Sequence, residues 1–290
     1  MENISNTTLQ KYAERKKFLR SLAVHTLLLF ITAPVMYFFY YLISQSLTGP
    51  NGNLSIDRWS FLWETLNRGV IIIPTIWPIL WFTIKFALLV TFCDIIIVVP
   101  AAYAFSRLNF PAKKFWMKVL FFLNAFPSNT IMIAIFFLLV KMKLINTLAG
   151  VVLVKVTMSA PGHVYMLKGF FDDIPWDYEW AALVDGCSRF QSFLQVLLPS
   201  AANGIGVISI FAFLSGYSEW FLFQILLYNV KYTTLAKILQ TVIMDNGTKI
   251  SDIGVLSALA IFFALPVAIF YLVSQNQLMK ISNIGGKKLV

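Results

Sequence analysis

The residues able to do chemistry are few, and they fall in three places. The first is a polar stretch, Glu179-Trp180-Ala181-Ala182-Leu183-Val184-Asp185-Gly186, followed by Leu198-Pro199. Its carboxylates, small residues and terminal glycine suit a shaped contact better than bond-breaking. The second is a set of ionisable groups within apolar runs, Lys85, Asp94 and Lys155. The third is a pair of polar clusters in similar runs: Asn124, Pro127, Ser128, Asn129 and Thr130, then Ser215-Gly216-Tyr217-Ser218-Glu219-Trp220. No Gly-x-x-x-x-Gly-Lys-Ser/Thr phosphate loop occurs, since Gly285-Gly286-Lys287-Lys288 lacks both the upstream glycine and the hydroxyl residue. His25 and His163 are the only histidines and lie on separate runs. Each is expected to hydrogen-bond a neighbouring helix, and neither a metal site nor catalysis by the chain is expected.

These groups sit in 290 residues that are 59% hydrophobic and 12% charged, with 27 Phe and 8 Trp. A soluble domain carries about 25% charged residues, so the composition reads as a polytopic membrane protein. The net charge of +10 does not point to nucleic acid. Lys and Arg flanking apolar runs account for it, and no basic run sits among soluble structure. Six runs reach the roughly 20 residues of helix that cross a bilayer, near 22–43, 76–105, 119–140, 148–167, 204–228 and 253–274. The first is longer than a signal-peptide core, has no cleavage site after it, and reads as a retained span.

Positive charge is retained in the cytoplasm. Fourteen Lys and Arg flank the side of the N-terminus and seven the other, so both termini are expected in the cytoplasm. The Glu179 stretch then belongs to the cytoplasmic loop between spans four and five. The expected organisation is a cytoplasmic segment 1–21, a first span with an extracytoplasmic loop 22–75, a five-span core 76–277 containing loop 172–199, and a cytoplasmic tail 278–290. Cys93 falls within the bilayer and Cys187 in the cytoplasm, so no structural disulfide is expected.

Local chemistry predicts two short helices in that loop. Pro175 suits a first helical turn and Gly186 the left-handed position that ends a helix. Trp176, Trp180 and Leu183 recur at i, i+4 and i+7, predicting an apolar face with Glu179, Ala182 and Gly186 elsewhere and Glu179 exposed. Ser188-Arg189-Phe190-Gln191 has the form of a capping box that starts a second helix, which Pro199 must disturb.

The Glu-x-Ala-Ala-x-x-x-Gly pattern with its downstream Leu-Pro resembles the signature of permease subunits of binding-protein-dependent ABC importers. It is most similar to their sugar-importer branch, which includes the second permease of the maltose transporter. Ala102-Tyr103-Ala104-Phe105-Ser106-Arg107 with Phe110-Pro111, Phe126-Pro127, Leu167-Lys168-Gly169-Phe170-Phe171 and the tail from Gln277 resemble the same branch, in order, over roughly residues 76 to 290. The resemblance implies an all-α membrane protein of six transmembrane helices with a cytoplasmic helix-turn-helix coupling loop. It implies an ATPase-coupling set of Glu179, Ala182, Asp185, Gly186 and Ser188, and a tail that reaches into the ATPase dimer. The implied partners are a second, different permease chain, two ATPase subunits, an extracytoplasmic solute-binding protein and a sugar or oligosaccharide, in a bacterial inner membrane. ATP and Mg would be held by the ATPases, with no cofactor on this chain. Trp180 departs from the pattern, where a second small residue is common.

Within the spans, a charge near the bilayer centre costs about 3 kcal/mol unless paired or wet. Lys85 lies near Trp77 and Trp81 and can snorkel outward. Asp94 sits deeper on the opposite face, at the depth of Lys155, so an interhelical Asp94–Lys155 pair is expected. Asn124, Asn129, Tyr217 and Glu219 are the candidates for a translocation path, since hydroxyls, amides and aromatic rings suit a polyol. The same residue types also serve helix packing. An ion-coupled transporter using Asp94 and Glu219, a membrane scaffold, or another solute such as a glycerophosphodiester or glycerol phosphate stay open at this point.

Overall fold

The computed structural model describes residues 2–49, 52–68, 71–73, 75–125, 130–227, 233–244 and 253–285. Its architecture is all-α apart from an antiparallel ribbon of two three-residue strands, β1 (Leu66–Arg68) and β2 (Ile71–Ile73). The helices are α1 (Glu2–Leu47), α2 (Ile76–Arg107), α3 (Lys113–Ala125), α4 (Met132–Lys141), α5 (Leu148–Asp172), α6 (Trp176–Val184), α7 (Arg189–Ser192), α8 (Leu198–Ser200), α9 (Ala202–Tyr217), α10 (Phe221–Ile225), α11 (Leu235–Met244) and α12 (Ile253–Gly285).

Two compact units emerge, Met1–Ser60 with Ser251–Ile261, and Phe61–Ile250 with Phe262–Val290. In the first, α1 is apolar and its side chains from Lys17 to Leu47 are largely exposed, as on a helix whose surroundings are lipid or another membrane chain. In the second, α2 is the central element and packs along both α5 and α9. One core layer joins Phe86 and Val90 of α2 to Met132, Leu139, Val151, Phe223 and Leu226. The other joins Val98, Ala102 and Tyr103 to Val164, Leu167, Phe171, Leu197 and Ile208. Gly216 permits the close approach of α9 to α2, where an added Cβ would lie 3.0 Å from the Ala87 Cα.

Five helical stretches among the described residues are long and apolar enough to cross a membrane: Arg20–Leu47, Ile76–Arg107, Leu148–Asp172, Ala202–Ile225 and Ile253–Gln275. The expected third span of 119–140 is not one helix. Among the described residues it forms two helices, α3 ending at Ala125 and α4 starting at Met132 after a turn at Thr130 and Ile131; residues 126–129 lie outside the described residues. The last helix also runs further than expected, its backbone staying helical to Gly285 through most of the anticipated tail.

Candidate functional site

The loop between α5 and α9 folds as a helix, a tight turn and a helix. Pro175 is the N-cap of α6, one position before the first helical turn where it was expected. Gly186 adopts a positive φ of 88°. Its N–H donates to the Leu183 carbonyl at 3.2 Å and the Cys187 N–H donates to that of Ala182 at 3.0 Å, the paired bonds of a Schellman ending. Asp185 is the exposed C-cap. The capping box forms in full: the Gln191 N–H donates to the Ser188 Oγ at 3.3 Å, and the Ser188 N–H donates to the Gln191 Oε1 at 2.8 Å. Upstream of Pro199 the helix widens into a π turn, Phe193–Leu197, which absorbs the ring.

The expected faces of α6 are reversed. Glu179 is 2% exposed and Ala182 is also buried, whereas Trp176, Tyr178 and Trp180 are 47, 55 and 57% exposed. The reason is charge: Glu179 turns toward the end of α2, where the Arg107 Nε lies 3.8 Å from its Oε2 and the Tyr103 hydroxyl donates to its Oε1 at 3.4 Å. Ser106 donates to the Asp172 Oδ1 at 2.6 Å, and Asp172 also pairs with Lys168. Lys113 donates to the Ser106 and Leu108 carbonyls at the C-terminus of α2, and burial, with Lys168 nearby, holds its pKa below the usual lysine value.

A second polar system runs along α5. Lys155, Ser159 and His163 recur every four residues and so share one face. The expected Asp94–Lys155 pair does not form. The Lys155 Nζ instead donates to the Glu219 Oε2 at 2.5 Å, while the fully buried Asp94 accepts from the Ser159 hydroxyl at 2.8 Å and meets the His163 Nδ1 at 2.7 Å. Matching depth placed Asp94 and Lys155 at one level, but α5 also faces the end of α9, and the link that follows α9 supplies the carboxylate that Lys155 meets. Glu219 has a second task, its Oε1 accepting the Leu222 N–H at 2.9 Å where α9 ends and α10 begins. Lys155, Met158, Ser159, Ser215, Glu219 and Leu222 line a half-open cavity of about 230 Å³.

The other path candidates scatter. Tyr217 is fully buried and its hydroxyl donates to the Phe263 carbonyl at 3.1 Å, so it is a packed core residue. Asn124 lines a separate, mainly apolar cavity of about 460 Å³ between α3, α4 and α5. Asn129 lies outside the described residues. Sequence reasoning missed Ser159 as a partner of Asp94 and Arg107 as a partner of Glu179. The four-residue recurrence on α5 was a usable signal for the first; for Arg107 the signal was only a cation at a helix C-terminus.

Residues 94–280 match the family model described as "binding-protein-dependent transport system inner membrane component". The chain is 30% identical to the trehalose transport system permease of Mycobacterium tuberculosis over 68% of its own length and 72% of that protein's. It is 29% identical to the maltodextrin transport system permease of Streptococcus pneumoniae, over 71% and 73%. With the maltose/maltodextrin transport system permease of Escherichia coli it shares 28% identity over 93% and 96%. Its fold is similar to a chain in the crystal structure of a bacterial ABC transporter involved in the import of the acidic polysaccharide alginate, with a TM-score of 0.70 and 21% identity, covering 87% of this chain and 94% of that one. The match spans well over half the chain, and the chain belongs to the family of inner membrane components of binding-protein-dependent transport systems.

Proposed function

We propose that this chain is the permease subunit of an ATP-driven importer for a sugar or oligosaccharide, forming half of the translocation path. The observation that carries this reading is the loop itself: α6 and α7, joined by a Schellman turn and a capping box, form a stiff element between two long apolar helices. A stiff element can pass a displacement to the spans; a flexible linker would absorb it. Carbohydrate is favoured by the relatives named for trehalose, maltodextrin and maltose transport.

In this reading Gly186 and Ser188 hold the shape of the loop, Ala182 seats it, and Asp185 with the exposed aromatic face meets an ATPase. The assembly is a second permease chain, two ATPase subunits and an extracytoplasmic solute-binding protein, with ATP and Mg on the ATPases and no catalysis or cofactor on this chain. The N-terminal segment 1–21, the loop 172–199 and the tail 278–290 lie in the cytoplasm, and residues 76–277 form the transport core. The cavity at Lys155, Ser159, Ser215 and Glu219 is our candidate for this chain's part of the path, because a helix break inside a membrane is tolerated where it lines a cavity. Asn124, near the end of α3, is a further candidate, and Asn129, outside the described residues, is kept as one on its residue type alone.

The test is mass spectrometry of the detergent-purified complex, joined to uptake of labelled sugars in vesicles. A co-purifying ATPase and binding protein, with uptake that needs ATP and survives an ionophore, is the expected result. Uptake abolished by the ionophore while ATP remains would replace this reading with ion coupling.

A further inference from the structure

Arg107 closes α2 and is 3% exposed, yet its side chain reaches three elements. Its Nη2 donates to the Phe171 carbonyl at 2.9 Å and to the Ile174 carbonyl at 2.5 Å. The first belongs to the last turn of α5, whose carbonyls have no donor within the helix and carry the negative end of its dipole. The second belongs to the three-residue link into α6. The guanidinium carbon lies 4.4 Å from the centroid of the Trp176 ring, the first residue of α6. One turn further along α6, Glu179 holds its Oε2 3.8 Å from the Arg107 Nε.

The start of α6 is tied to α2 and α5 through Arg107. Its N-cap is Pro175, with no side-chain cap. The pair is also incomplete. The Arg107 Nε and Glu179 Oε2 are both buried without a hydrogen-bond partner, and their separation exceeds the roughly 2.7–2.9 Å of a charge-assisted bond. A movement of α6 toward α2 by about 1 Å would complete that bond. A movement away would leave two buried charges poorly matched, which is costly.

We infer that Arg107 is the positioning residue that fastens the coupling loop to the ends of α2 and α5, with Glu179 as its counter-charge. A displacement of α6 then reaches both spans and is not taken up in the link at 173–175. This inference rests on the proposed coupling of the loop to an ATPase.

The test uses the full-length chain in its assembled complex in lipid nanodiscs and vesicles, with Arg107→Gln, Arg107→Lys and Glu179→Gln. Three quantities are read: thermal unfolding, crosslinking to the ATPase from a photoreactive residue at the exposed Val184, and sugar imported per ATP hydrolysed. Arg107→Gln is expected to keep assembly and the Val184 crosslink while sugar per ATP falls about tenfold, within the range of ordinary coupling energies. Arg107→Lys keeps the charge but not the planar fork, so it should fall between Gln and wild type. Glu179→Gln keeps an acceptor for Tyr103 and should lose less than Arg107→Gln. Wild-type yield per ATP in Arg107→Gln would overturn the inference, as would a fall in crosslinking, hydrolysis and unfolding temperature all together, which marks a folding role only. Absence of ATP-driven uptake in the wild-type complex would instead remove the function on which the inference stands.

Discussion

At the scale of single residues, the membrane-embedded charges are held in two separate pairings along one face of α5. Lys155 is 16% and Glu219 9% exposed at the side chain, so removing one leaves the other in a poorly solvated site. Lys155→Met alone, or Glu219→Gln alone, is expected to destabilise the chain by about 3 kcal/mol, and the double change by less than the sum of the two. Gln at 219 can still accept the Leu222 N–H, so that loss is the charge and not the cap. A double-mutant cycle on thermal unfolding in detergent checks this, and strictly additive losses would show that the two charges do not interact. The sequence allowed part of this reading. Both histidines were expected to hydrogen-bond a neighbouring helix; His163 does so with Asp94, whereas His25 meets the Ser21 carbonyl of its own helix at 2.6 Å. Which carboxylate Lys155 chooses did not follow, because rise per residue gives depth but not which of two flanking helices a side chain meets.

At the scale of elements, the loop between α5 and α9 was legible wherever its structure is local. The Gly186 turn and the Ser188–Gln191 box depend on contacts three to five residues apart, and both form as the residue types require. A Cβ at Gly186 would meet nothing within 4 Å, so the demand there is purely for positive φ. Gly186→Ala should therefore cost about 1–2 kcal/mol of loop stability, and Gly186→Asn less, since Asn tolerates the left-handed region. Hydrogen exchange at the Cys187 amide measures it; equal protection in both variants would contradict a conformational cause.

The orientation of α6 was not legible, because periodicity marks an apolar face without saying which protein covers it. The buried ion pair claims one side of the helix for this chain, and although Trp176 packs on Arg107, Tyr178 and Trp180 stay exposed on the other. Trp180→Ala should then leave unfolding of the isolated chain unchanged and weaken retention of the ATPase on purification. Glu179→Lys should lower the unfolding temperature of the chain alone, by setting a second cation against Arg107. If Trp180→Ala destabilises the isolated chain as much as Glu179→Lys does, the aromatic face is part of the core.

At the scale of the whole molecule, five of the six apolar runs correspond to helices long enough to cross a membrane, while the expected third span is described as two shorter helices, α3 and α4, with residues 126–129 outside the described residues. A hydropathy window averages over some nineteen residues and passes across one proline without registering it. Orientation rests on a different physical quantity, the distribution of Lys and Arg, which no helix boundary reports. It is testable with single cysteines in a background carrying Cys93→Ser and Cys187→Ser. Val184 in the coupling loop and Leu54 in the loop after the first span are 85 and 88% exposed, so both accept a reagent readily. In right-side-out vesicles a membrane-impermeant maleimide should label Leu54→Cys and spare Val184→Cys until the bilayer is permeabilised; in inside-out vesicles the order should reverse. In the proposed orientation, the positive charge of flanks 11–20, 107–118 and 280–288 is expected to keep them in the cytoplasm. Labelling of Val184→Cys from the outer face would place the loop where no cytoplasmic ATPase can reach it, and the coupling mechanism would fail however well the loop is built.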